Sequence, residues 1–188
     1  MKYIQGSAFS AKDTKPTELI LGEYEDCDFS GLDFSEFDFS DYKFSNCNFN
    51  DCDLSNVKIS GTALRTVTFY NCKMIGLSFD DVNAFNLSLQ FEKCILDHSS
   101  FYQVDVRKTL FRDCTLRETD FTLCNLASAV FTDSDLLNAV FSRTNLEAAD
   151  LRTARNFSIN PNKNTLKKAK FSKDNLEGLL YQVLIIIT

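Results

Sequence analysis

The sequence predicts an all-β solenoid, a coil of short extended sides stacked on itself. Three observations lead there: an apolar residue recurs at every fifth position, the residue two before it is usually small, and the residues between are polar turn formers. A helix repeats at about 3.6 residues and a strand at about 2, so neither produces this spacing. A short side followed by a corner does, provided the sides stack into turns that bury one another.

The first run of apolar centres starts at Leu19 and Tyr24 and continues through Phe29, Phe34, Phe39, Phe44 and Phe49 to Phe79. A second run goes from Phe91 to Leu151. Between them the segment 80–90, DDVNAFNLSLQ, shifts the phase by two residues, as a loop or a kink. Residues i−2 and i face the same way in an extended chain, so each side turns one small and one large residue inward. The residue after the centre is Ser30, Ser35, Ser40, Ser45, Asn50, Ser55 and Ser60 in succession. Ser and Asn bond nearby backbone, which places the corner there.

Four sides close a turn. In the second run Phe alternates with an aliphatic residue, so a 15-residue turn would stack Phe on Leu, whereas a 20-residue turn gives pure columns. Phe91, Phe111 and Phe131 then line one wall, and Phe101, Phe121 and Phe141 the opposite one. The pairs Cys27/Cys47, Cys52/Cys72 and Cys94/Cys114 show the same interval. Seven to eight turns at about 4.8 Å each make the rod.

The chain divides into an N-terminal cap over 1–18, the repeat over 19–155, and a degenerate last coil with a C-terminal helix over 156–188. In the tail Leu176, Leu179, Leu180, Val183 and Leu184 form one apolar helical stripe, the candidate capping or dimer surface. Asp174 and Glu177 fit an N-cap and its capping-box acid. Ile185–Ile187 read as a terminal strand.

All 7 Cys fall at the small inward position, which makes them buried small residues rather than metal ligands. The single His, His98, has no nucleophile or ligand pattern around it. No phosphate-cradling Gly loop, nucleophile elbow or paired buried carboxylate is present, so no catalytic, metal or cofactor residue is assigned. The first twenty residues lack the apolar run of a signal peptide, and no stretch approaches 18 apolar residues. Together with the thiols, this predicts a cytoplasmic protein with no membrane contact.

The net charge of −6 disfavours direct nucleic-acid binding. The charge is also uneven. Between residues 23 and 53 lie Glu23, Glu25, Asp26, Asp28, Asp33, Glu36, Asp38, Asp41, Asp51 and Asp53, against Lys43 alone. Of these, Asp28, Asp33, Glu36, Asp38, Asp41, Asp51 and Asp53 are the candidate acidic partner face, which would attract a basic groove. An acidic exterior also keeps a β-rod soluble, which is the simpler explanation. Lys163, Lys167, Lys168, Lys170 and Lys173 make the tail basic, and Leu110, Val130, Val140 and Leu123 form a candidate outward apolar patch.

The units CDFSG, LDFSE, CDLSN, CNLAS, SDLLN, TNLEA and ADLRT resemble the A(D/N)LXX consensus of the pentapeptide-repeat family. That resemblance implies a right-handed quadrilateral β-helix and says little about activity. The Qnr-like quinolone-resistance branch, similar in its C-terminal tail, implies a non-catalytic DNA mimic that binds type II topoisomerase (DNA gyrase) and modulates quinolone sensitivity. It also implies a homodimer through the C-terminal helix and no cofactor. Some members of that branch carry long projecting loops, which this sequence lacks outside 80–90. The alternative is a structural or regulatory scaffold with a protein partner unrelated to DNA.

Overall fold

A computed structural model describes residues 1–180. Its strands are β1 (Lys2–Gln5), β2 (Ala8–Ser10), β3 (Gly22–Glu25), β4 (Asp28–Ser30), β5 (Lys43–Ser45), β6 (Asn48–Asn50), β7 (Ala63–Arg65), β8 (Val67–Tyr70), β9 (Leu89–Glu92), β10 (Leu110–Arg112) and β11 (Val130–Thr132). They form two parallel sheets, ordered β1-β3-β5-β7 and β2-β4-β6-β8-β9-β10-β11, which are the first and second walls of the rod. The third and fourth walls are held by parallel bridges such as Asp33 to Asp53 to Lys73 and Ser100 to Asp120 to Val140, respectively. Tyr24 sits beside Phe44 and Phe29 beside Phe49, so one turn takes 20 residues and four sides. The result is the expected β-solenoid, with about seven turns and a small C-terminal helix.

Every centre from Leu19 to Phe79, and from Phe91 to Leu151, is buried. The second wall is a continuous ring stack in which Phe91 and Phe111 lie 5.2 Å apart and Phe111 and Phe131 4.9 Å apart. Across the core, Phe101 meets Phe111 edge-on at 6.0 Å. Stacking along the rod and edge contact across it both suit the ring quadrupole. One turn after the aromatic quartet Phe29, Phe34, Phe39 and Phe44, the smaller Leu54, Ile59 and Leu64 leave an apolar cavity of about 20 Å³.

The corner spans the residue expected, the one after the centre, and the residue that follows it. The left-handed residue is the second after the centre, as at Asp26, Glu36, Asp41, Asn46 and Asp51. At Glu36 (φ 59°) the Phe37 N–H donates to the Phe34 carbonyl at 2.8 Å, a type II turn. The Ser before it keeps ordinary dihedrals, while Asn, Asp and Gly tolerate the left-handed position best.

Two boundaries also differ in detail from the sequence reading. Within the segment assigned to the N-terminal cap, β1 pairs with β3 and β2 with β4, so Lys2–Ser10 already belongs to the ladder. A 3-10 turn, Pro16–Glu18, follows. In the tail the inward phase slips by one residue, burying Phe157 behind Asn156 (φ 59°). The segment 80–90 is a bulge in one wall. Ala63 pairs with Asn83, 20 residues on, but Val67 pairs with Leu89, 22 on, so the two extra residues lie between them and the pairing resumes on the second wall.

The expected cap at Asp174 is not the one used. The chain enters a 3-10 turn, Lys173–Asn175, and the Asn175 Oδ1 accepts the Ser172 N–H at 3.1 Å. Helix α1 begins at Glu177 (Glu177–Leu180). An amide three residues after a Ser closes the turn without the charge an acid would bring. The Gly178 carbonyl accepts the Ile159 N–H at 2.8 Å, which seats α1 on the last full turn.

Candidate partner-binding surface

The candidate acids wind around the first turns instead of collecting on one plane. Asp28 is on the second wall, Asp33 and Asp53 are on the third, and Asp38 is on the fourth. Glu36, Asp41 and Asp51 occupy left-handed corners. Six of the seven side chains lie in exposed residues and Asp53 is half-buried.

Several of these carboxylates have structural work. Asp33 accepts the Ser35 N–H at 3.0 Å, Asp38 the Ser40 N–H at 2.9 Å, and Asp53 the Ser55 N–H at 3.0 Å. Each is an Asx turn that presets the corner. Asp120, Asp135 and Asp150 do the same on later turns. The signal was legible as Asp at i−1 before Ser or another residue at i+1, but its purpose shows only when the amide is seen to point back.

Some of the acids are answered one turn later. Asn48 Nδ2 donates to Asp28 at 2.8 Å, Asn71 Nδ2 to Asp51 at 2.6 Å, and Lys73 Nζ to Asp53 at 2.9 Å. Asp33 under Asp53 is the exception, with like charges on adjacent rungs. Hydrogen bonds from Ser35 hold the Asp33 carboxyl below the usual carboxylate range, and those from Ser40 do so for Asp38.

The cysteines are buried and free. Cys52, Cys72, Cys94 and Cys114 stack in one inward column, continued by Ser134. They also act as donors, a role their sequence positions did not reveal. Cys47 Sγ donates to the Tyr24 carbonyl at 3.3 Å and Cys72 Sγ to the Phe49 carbonyl at 3.3 Å. Thr62, Thr119 and Thr144 hydroxyls make the same bond to Phe39, Leu96 and Phe121. The inward small position therefore serves the carbonyl 23 residues earlier, which is why Cys, Ser and Thr interchange there. Burial pushes the Cys47 thiol up to about 12. Among the described residues no group of three or more His, Cys, Asp or Glu side chains is placed to hold a metal ion. His98 lies exposed beside Glu118, with Nδ1 3.4 Å from its carboxylate.

On the C-terminal surface Leu176 is 43% exposed, Leu180 is half-buried, and Leu179 packs against the core. Val183, Leu184 and the Ile185–Ile187 strand lie outside the described residues. The outward apolar patch divides. Leu110 pairs with Val130 on the second wall, whereas Val140 and Leu123 belong to the fourth, across the core. No helix among the described residues is long and apolar enough to cross a membrane.

The comparisons agree with this architecture. The model of the pentapeptide repeat region matches residues 23–90, and that of pentapeptide repeats (8 copies) matches 94–133 and 119–155. Comparison with curated proteins finds no match. Among solved structures, full-length QnrB1, a plasmid-mediated fluoroquinolone resistance protein, aligns over 98% of this chain and 100% of its own at a TM-score of 0.65 and 14% identity. HetL, a pentapeptide repeat protein involved in heterocyst differentiation regulation in the cyanobacterium Nostoc sp. strain PCC 7120, covers 89% of this chain and 84% of its own. Its TM-score is 0.51 at 11% identity. At these identities the likeness is one of fold. With a period-five core, four-sided turns and family models over both runs, the chain belongs to the pentapeptide-repeat family.

Proposed function

We propose that this protein is a non-catalytic, cytoplasmic binding protein whose acidic N-terminal turns imitate duplex DNA and engage the basic groove of a type II topoisomerase. The observation that carries the reading is the ring of acids on a rigid rod, with Glu36 and Asp41 projecting from corners where a neutral Asn or Gly would fit equally well. A polyanionic surface raises the encounter rate with a basic groove and competes for it with DNA. The full-length alignment with a fluoroquinolone resistance protein supports testing gyrase first. We also propose that Leu176, Leu179 and Leu180, together with Val183 and Leu184, form a homodimer contact. Light scattering of Leu180→Asp against the parent tests it, and an equal monomer mass for both proteins rejects it.

The deciding experiment is DNA gyrase supercoiling titrated with the protein, with and without a quinolone. The expected result is inhibition or quinolone protection that weakens in Glu36→Gln/Asp41→Asn. No effect at micromolar protein removes the mimicry reading. The Asx turns of Asp33, Asp38 and Asp53 favour a second reading, a scaffold for a partner unrelated to DNA, because they give the acids a structural cause.

A further inference from the structure

The bulge at 84–88 does more than absorb two residues. Ala84, at the position of an inward centre, is exposed, and Leu87 packs against the core in its place. Phe85 is thrown outward and is 67% exposed. It is the one exposed Phe among the 18 of the chain. The Asn83 Oδ1 accepts the Phe85 N–H at 3.0 Å, so the outward course is fixed by a turn. A polar residue would repair the register equally well without exposing a ring to water.

The surroundings are cationic. The Arg65 guanidinium lies over the Phe85 ring, 5.6 Å from its centroid. Its Nε is buried and has no hydrogen-bond partner, and no ion pair is formed by Arg65 among the described residues. One turn beyond Phe85, and two beyond Arg65, the same wall carries Arg107 and Lys108. Arg107 is held by Asp105, and Asp81 stands at the preceding corner, so the patch is not free of acids. Even so, Arg65 lies over the exposed ring, and Arg107 and Lys108 stand on the same wall one turn beyond it, on a chain of net charge −6.

We propose that Phe85, Arg65, Arg107 and Lys108 form a docking surface for an acidic, aromatic-containing peptide segment of a partner protein. The partner's apolar side chain packs on the Phe85 ring, and its carboxylate pairs with the guanidinium of Arg65. Charge complementarity selects an acidic occupant, and an aromatic with flanking Arg is the composition of an interface anchor. The net acidity of the protein disfavours a polynucleotide there. This surface lies apart from the acidic turns and does not depend on the mimicry reading.

The test uses the full chain labelled with ¹⁵N and three probes: the peptide acetyl-DEFDEL-amide, its Lys-for-acid counterpart, and oligo-dT. The acidic peptide is expected to shift the resonances of Arg65, Phe85, Arg107 and their neighbours. Phe85→Ser and Arg65→Gln should each weaken it at least about tenfold. Both positions are outside the core, and an unchanged thermal midpoint confirms that the variants fold. Absence of shifts at millimolar peptide, equal binding of the basic peptide, or preferential binding of oligo-dT overturns the proposal.

Discussion

Asp53 stands directly above Asp33 on the third wall, two carboxylates on adjacent rungs, each accepting the N–H of the Ser two residues later at 3.0 Å. Like charges in this arrangement repel. Lys73, one rung higher, offsets part of it from 2.9 Å. Asp33→Asn keeps the Asx turn and removes the repulsion, so its urea midpoint should equal or exceed the parent's. Asp33→Ala loses the turn and should fall below both.

The same turns set a pH dependence. Asp33, Asp38, Asp53, Asp105, Asp135 and Asp150 all have folded carboxyls below their ordinary range. Depressed folded values mean that the unfolded chain takes up protons first as the pH drops. Their stabilisation is complete above the unfolded carboxyl value of about 4. It is lost as the pH falls through the lower folded values. Urea midpoints should therefore be level from pH 7 to 5 and decline below 4. A flat profile down to pH 2.5 would exclude these turns as contributors.

Phe121 stacks on Phe101 at 5.3 Å and on Phe141 at 5.2 Å and meets Phe111 and Phe131 edge-on. Phe121→Ala should cost about 3–5 kcal/mol in chemical denaturation. A loss below about 1 kcal/mol would contradict its place in the column.

Gly178 is buried against Phe157, where an added Cβ would come within 2.5 Å of the ring and of the carbonyl oxygen. Gly178→Ala should lift α1 from the last turn at a cost of about 1–3 kcal/mol. Hydrogen exchange at the Ile159 amide, which donates to the Gly178 carbonyl, should rise in parallel.

The thiols should be inert in the native state. Cys47, Cys72 and Cys94 are each pushed up to about 12, so almost no thiolate exists at neutral pH. Thiol titration should find no fast-reacting group in native protein and 7 after denaturation. Fast reaction of several thiols before unfolding would place them at the surface.

The period of five determined the inward positions, and the alternation of Phe with aliphatic residues at those positions determined the four-sided turn, because only a 20-residue turn stacks like side chains on like. The cysteines' burial followed from the same arithmetic. What the tertiary structure decided involves residues of different turns meeting. The Asx role of Asp33 and the donor role of Cys72 depend on which carbonyl or amide each atom faces. Ser172 and Asn175 replace Asp174 as the cap, with the Asn175 Nδ2 donating to the Leu151 and Ala154 carbonyls of the preceding turn. The bulge had to be folded before it was clear that Leu87 goes in and Phe85 stays out. Both are apolar and two residues apart, and only the space left by the neighbouring turns distinguishes them.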